Sequence, residues 1–217
     1  MVRRRTAVSI TAAALLLASP ALTACGSGPA QPGAAAVVGG QRITVSTLQN
    51  KVNEVRAAQA SSPQADQLVS AGGKLSTQTL SMLVQNTVIE RAASDAGVRV
   101  SDGEVQQQHA AALQQFGGSE QALDAALLQQ YDIVPSGADS FFRTNALVGK
   151  LIVSLGFQPG SDGGQSAIVS AIAKTADRLG VKVNPRYGAW DAKKAIIGDA
   201  TDPWVVTRTP SQAAPAA

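Results

Sequence analysis

The sequence predicts a mainly α-helical domain with a small antiparallel sheet formed by an N-terminal hairpin and a C-terminal strand. Three observations lead there. Six segments repeat apolar residues at helical spacing, and only two short stretches alternate as strands do. Serine-led starts and glycine-led stops bracket the helical segments. No internal repeat recurs at a fixed period.

The first strand pair is read at Ala36 to Thr44, where two short apolar runs flank Gly39-Gly40. Two glycines supply the positive φ angles of a tight hairpin turn. Ser46-Thr47-Leu48-Gln49 has the spacing of a capping box. It opens a first helix to about Ala60, with Val45, Leu48, Val52 and Val55 on one face. Ser61 to Lys74 is polar and contains Pro63 and Gly72-Gly73, so it is expected to be a loop with room for one helical turn.

A second helix is predicted from about Ser76 to Ala96 on the stripe Leu80, Leu83, Val84, Val88 and Ala92, with Gly97 beyond its end. Ser101-Asp102-Gly103-Glu104 is a second capping box. It opens a third helix carrying Val105, His109, Ala112 and Phe116, which Gly117-Gly118 ends. Ser119 caps a fourth with Leu123, Leu127 and Tyr131. Pro135-Ser136 begins a fifth with Phe141, Val148, Ile152 and Leu155 aligned. Gly156 to Gly164 reads as a loop. A sixth helix carries Ile168, Ala171, Ile172, Ala176 and Leu179 and stops at Gly180, before a strand at Val181 to Asn184. The alternation at Val181 to Val183 and at Arg42 to Val45 predicts that these two segments pair.

The N-terminus has a different logic. Arg3-Arg4-Arg5 precedes an apolar, small-residue run that ends in Leu22-Thr23-Ala24-Cys25. This is the pattern of an export signal, and Leu22 to Cys25 resembles the bacterial lipobox. Residues 1–24 are therefore expected to be removed. Cys25, the one cysteine of the chain, would carry diacylglycerol through a thioether, possible only for a thiol. Localisation is then the extracytoplasmic face of the cell membrane. Residues 25–35, rich in Gly, Pro, Ala and Ser, read as a tether. The domain proper is placed at 36–191 and a partly disordered tail at 192–217, most clearly from Pro210 to Ala217.

Removing residues 1–24 takes three arginines and no acidic residue, leaving 15 of the 18 basic residues against 15 acidic ones. The mature chain is formally neutral, which argues against nucleic-acid binding. Catalytic constellations are absent from the pattern. A single histidine excludes a histidine-pair metal site, and His109, on an apolar stripe, reads as a core or rim residue. No serine sits in a G-x-S-x-G elbow, and Gly156 to Gly164 lacks the Gly-Lys-Ser/Thr ending of a phosphate-binding loop. No catalytic residue, metal ligand or cofactor is assigned, apart from the lipid on Cys25.

The order of elements carries further meaning. The hairpin Ala36 to Thr44 leading into a helix, the capped Ser101-Asp102-Gly103-Glu104-Val105 segment and the Phe116-Gly117-Gly118-Ser119-Glu120 junction resemble the SurA N-terminal domain. So do the helix to Tyr131, the long helix through Lys150-Leu151 and the closing Val183-Asn184-Pro185-Arg186-Tyr187-Gly188-Ala189-Trp190. That domain belongs to the SurA/PrsA group of chaperone-foldases, and the resemblance spans roughly Ala36 to Trp190. Many members carry a parvulin prolyl isomerase domain before the closing strand. Here one loop and one helix occupy that interval, so the resemblance implies a chaperone module and not an isomerase.

The expected function is ATP-independent binding of unfolded or exported polypeptides by a lipid-anchored protein. The alternative is a structural or assembly lipoprotein dedicated to one folded partner. A solute-binding lipoprotein would need βαβ alternation, which is missing. No small-molecule substrate or nucleic acid is expected. Phe116, Tyr131 and Phe142 are the candidate peptide-binding residues. Phe141 is expected in the core, and Phe142, above the side face Ala146, Gly149 and Val153, at the rim of a groove.

Overall fold

The computed structural model describes residues 32–198. Cys25, the signal and the segment Pro210 to Ala217 lie outside the described residues. Strand β1 (Ala34–Val38) turns through Gly39 and Gly40, at φ +57° and +81°, into β2 (Gln41–Thr44). A Cβ on Gly39 would stand 2.7 Å from Cδ2 of Leu179, so this glycine is needed for close approach as well as for its φ. Strand β3 (Lys182–Val183) adds to the other edge of β1, with Ala36 opposite Val183 and Val37 opposite Lys182. The sheet order is β2-β1-β3, all antiparallel.

The last strand therefore meets the N-terminal hairpin, but through β1 and not through Arg42 to Val45. The reason is burial. Ala34, Ala35 and Ala36 have no solvent exposure, whereas Gln41 and Arg42 are exposed. A strand buried this fully must satisfy its backbone on both edges. Asn184 completes the pairing: its amide donates to Ala35 O at 2.9 Å and its Nδ2 to Ala34 O at 3.2 Å. The tether predicted to run to residue 35 thus stops short of Ala34, because Ala34 and Ala35 belong to the core strand.

Helix α1 (Val45–Ala60) follows β2 without a loop. Its cap is Thr44, whose Oγ1 accepts from the Thr47 amide at 3.0 Å. Ser46 was the expected cap, but the extended backbone that a cap requires ends at Thr44, the last strand residue. The predicted loop 61–74 contains helix α2 (Ala65–Ala71). Helix α3 (Leu75–Asp95), about 30 Å long at 1.5 Å per residue, runs through the centre. Leu80, Val84 and Val88 are fully buried on it.

Helices α4 (Asp102–Gln115) and α5 (Glu120–Tyr131) form an antiparallel pair around the Gly117-Gly118 turn. The Ser101 capping box forms as read: the Glu104 amide donates to Ser101 Oγ, and the Ser101 amide donates to Glu104 Oε2 at 2.9 Å. A 3₁₀ turn at Pro135–Gly137 leads into α6 (Ala138–Ser154). Helix α7 (Asp162–Leu179) starts on Ser161, whose Oγ accepts from the Gly164 amide at 3.1 Å, and stops at Gly180 in the left-handed region. Helices α1, α6 and α7, with β1, all pack on α3.

The packed body does not end at Asp191. Strands β4 (Ala189–Asp191) and β5 (Ile196–Gly198) form a second hairpin that buries Ala195 and Ile197 against α3. Ser81 Oγ accepts from the Ile197 amide at 3.0 Å, and Gln85 Nε2 donates to Ala195 O at 2.6 Å. The boundary expected at residue 191 therefore moves to at least Gly198.

Four polar contacts join the start of α4 to α6. Arg143 donates to Val100 O and to Asp102; Lys150 donates to Arg99 O and pairs with Glu104. The Lys150 ammonium, reinforced by the Ser101 amide and hydroxyl, lowers the Glu104 pKa from 4.5 to about 2. A depressed carboxylate stabilises the fold above its unfolded pKa and loses that contribution as pH falls through the folded one. The melting-temperature gap between the parent and Glu104→Gln should therefore be constant above pH 4.5 and close between pH 4.5 and about 2. A gap unchanged across that window would show that the charge of Glu104 contributes nothing.

Candidate functional site

Helices α1 and α6 both pack on α3 but leave a strip of it uncovered between them. Met82, Leu83, Asn86 and Ile89 of α3 lie along this strip, Val55 of α1 on one wall, and Phe141 and Val148 of α6 on the other. The connection from Tyr131 to Gly137 closes one end. The resulting groove has a volume of about 460 Å³, within the range of sites that hold small ligands or a few side chains.

Tyr131 and Phe141 give this groove its aromatic surface. Their rings tilt against each other at 39° with centroids 5.2 Å apart, within the contact range of aromatic pairs. Tyr131 is 54% exposed and Phe141 is half-buried. The stacking continues inward: Phe141 meets Phe142 edge-on at 5.5 Å, and Phe142 meets the His109 ring at 5.2 Å. Four rings thus run from the groove across α6 to α4.

Phe142 is the interior member of that row and does not sit at a rim. It is 5% exposed, in a second core cluster with Val105, Leu123, Leu127, Ile133 and Ala138. The expected roles of the two phenylalanines are exchanged. Adjacent helical residues point about 100° apart, and which of them is covered depends on where α4 and α5 dock. They dock over Phe142, turning Phe141 toward the groove. Leu155, read as part of the core stripe, is 42% exposed at the C-cap, just past the last residue of α6.

The side face below Phe142 does line a second hollow. Ala146, Gly149 and Val153, with Phe142 at its floor, face Gln107, Gln108 and Gln115 of α4 across a volume of about 680 Å³. It is shallower and its α4 wall is amide-rich, so it offers less apolar contact. Phe116, 36% exposed at the end of α4, lines neither hollow. Of the three candidate residues, only Tyr131 reaches the aromatic groove.

Asp132 was not singled out in the sequence. It caps the C-terminus of α5 at φ +54°, with its amide donating to Leu128 O at 3.2 Å. Its Oδ1 accepts from Gln59 Nε2 at 2.9 Å, and Gln59 is 3% exposed on α1. Burial raises the Asp132 pKa, and the Gln59 hydrogen bond opposes the rise. The signal was present, since an Asp just past the last periodic residue of a helix is suited to a left-handed cap.

His109, read as a core or rim residue, lies half-buried with its ring engaged. Its Nε2 lies 3.2 Å from Glu120 Oε2, and its ring covers Phe142. Burial, then Glu120, raises the pKa of neighbouring Asp124. Among the described residues no group of three His, Cys, Asp or Glu side chains is placed to hold a metal ion. No helix among them is long and apolar enough to cross a membrane.

Comparison with known proteins returns one family. A family model described as SurA-like N-terminal domain matches residues 1–131. No curated protein and no solved structure matches the chain. The match ends with α5, so α6 and its Phe141 wall extend beyond it.

The exchange of the two phenylalanines has a measurable consequence. Phe142→Ala should lower unfolding free energy by about 3–5 kcal/mol through the cavity it leaves. Phe141→Ala should cost about 1–2 kcal/mol, since its ring is only partly removed from water. Equal losses in urea denaturation would contradict the assignment of Phe141 to the groove.

Proposed function

The chain belongs to the SurA-like N-terminal domain family, and from this we propose that it is a lipid-anchored extracytoplasmic protein that binds unfolded or exported polypeptides without ATP. The family is chaperone-like and binds polypeptides as substrates. The observation that supports this use is the groove between α1, α3 and α6, lined by Tyr131, Phe141, Leu83 and Val148. These apolar side chains stand among polar ones such as Asn86, Thr144 and Asn145, and apolar surface left open to water marks a site of association.

Such a protein acts by mass action. It binds exposed apolar segments, lowers the concentration of free unfolded chain, and releases it at a rate set by affinity. Aromatic content is 4%, so each contact is modest, and weak binding suits repeated release. No catalytic step is assigned. His109, the only histidine in the chain, is engaged with Glu120 and Phe142, and prolyl isomerisation faces a barrier of roughly 18–20 kcal/mol that needs a shaped site.

Anchoring would rest on Cys25. Its two acyl chains meet the two-signal requirement for stable membrane attachment. Cys25→Ser should leave the protein unprocessed or released from membranes, and intact-mass analysis of the membrane form should show the diacylglycerol adduct. An unmodified thiol in that form would remove the anchor from the proposal.

Binding is tested by aggregation of two unrelated unfolded clients, with the protein at equimolar to tenfold excess and no nucleotide. Both should be protected, and Phe141→Ala should reduce protection while leaving the fold intact. Failure with both clients would discard general chaperone action and favour the dedicated-partner alternative.

A further inference from the structure

We propose that the groove between α1, α3 and α6 selects extended segments in which a lysine or arginine stands among apolar residues, with Asp132 receiving the cation. This rests on the groove being the polypeptide-binding site and adds its sequence preference.

Charge on the groove walls is unbalanced. Three lining residues are charged: Lys51, Glu54 and Asp132. Lys51 Nζ is already paired with Glu54 Oε2 at 2.8 Å, with both side chains over 40% exposed. That leaves Asp132, half-buried, with one neutral partner in Gln59. Nothing cationic offsets it: desolvation raises its pKa, and the only opposing influence is the Gln59 hydrogen bond. Its position compounds the cost. Asp132 sits at the C-terminus of α5, where the helix dipole presents its negative end and favours cations.

The fold itself does not need the carboxylate. The cap requires a residue that tolerates φ +54°, and asparagine does so at least as well as aspartate. The bond to Gln59 requires one acceptor oxygen, which an asparagine amide also supplies. An asparagine would thus do both structural tasks without burying charge. The carboxylate adds an uncompensated negative charge beside Tyr131 and Phe141, whose rings are 5.2 Å apart. A peptide that lays apolar side chains on those rings and a basic one at Asp132 satisfies both features. The aromatic pair adds to this, since ring faces attract cations.

The test measures fluorescence-anisotropy titrations of the full chain in neutral phosphatidylcholine nanodiscs. Three labelled peptides differ at one position: Ser-Gly-Leu-Phe-Lys-Val-Leu-Gly-Ser and its counterparts with Gln or Glu in place of Lys. The lysine peptide should bind roughly tenfold tighter than the glutamine peptide, the scale of a close charge pair, with the glutamate peptide weakest. In Asp132→Asn the three affinities should converge, with circular dichroism unchanged and a melting temperature equal to or above that of the parent. Phe141→Ala should weaken all three alike.

Equal affinities in the parent protein would overturn the basic preference and leave the groove as a peptide site. A lysine advantage that survives Asp132→Asn would also overturn it, because the charge would then be read elsewhere. No binding of any peptide would remove both the preference and the groove's role. If Asp132→Asn does not fold, the ranking in the parent protein decides alone.

Discussion

Burial of α3 sets the geometry around it. Leu80, Val84 and Val88 are without solvent exposure, and Thr79 and Ser81 are buried beside them. A helix of 21 residues with so much of its circumference covered must be wrapped by several elements at once. Helices α1, α6 and α7, strand β1 and the β4–β5 hairpin share that task. The polar groups follow the same constraint. Thr77, Ser81 and Gln85 spend their side chains on backbone atoms of Tyr187, Ile197 and Ala195, which ties the end of the described chain to α3, while Trp190 Nε1 in β4 is buried without a hydrogen-bond partner.

The sheet is small but joins distant parts of the chain. Strand β1 has a partner nearby in β2 and another some 145 residues away in β3. The helices between form the body that this closure encloses. Gly39 ties the two levels together: its amide donates to Leu179 O at 2.9 Å, at the end of α7, where bulk on the glycine would clash. Forming such long-range pairs costs chain entropy before any contact returns it. The fully buried alanines of β1 show what is gained once they form.

The groove is a by-product of this packing. Two helices laid on a third at different positions leave a strip between them, and α5 ends so that Tyr131 and Asp132 close one end. Helix α4 packs along α6, held by the Arg143 and Lys150 contacts and by Phe142, while α5 reaches α1 through contacts such as Gln59 with Asp132. The pair buttresses the aromatic row from behind. The surface of Tyr131 and Phe141 is thus backed by a packed interior.

Local rules determined much of this. Helical periodicity, the Ser101 capping box, the Ser119 cap, the Gly39-Gly40 turn and the Gly180 stop were all legible, because each depends on residues within one or two turns of chain. The order of those elements carried the family. Tertiary structure decided what local chemistry leaves degenerate. Thr44 and Ser46 are both good caps, and the end of β2 chose between them. Residues 61–74 are polar and glycine-bearing, yet α2 forms there with Leu68 packed against the core. Arg42 to Val45 alternates as a partner for β3 should, yet burial selected the uniformly apolar β1. Phe141 and Phe142 differ by one position and 100°, and the docking of α4 and α5 fixed which one is core. Sequence by itself therefore determined where the elements begin, end and turn, because those choices are short-ranged. Only the folded chain decided which face of each meets which neighbour, because that choice is settled by burying the most apolar area with every backbone group paired.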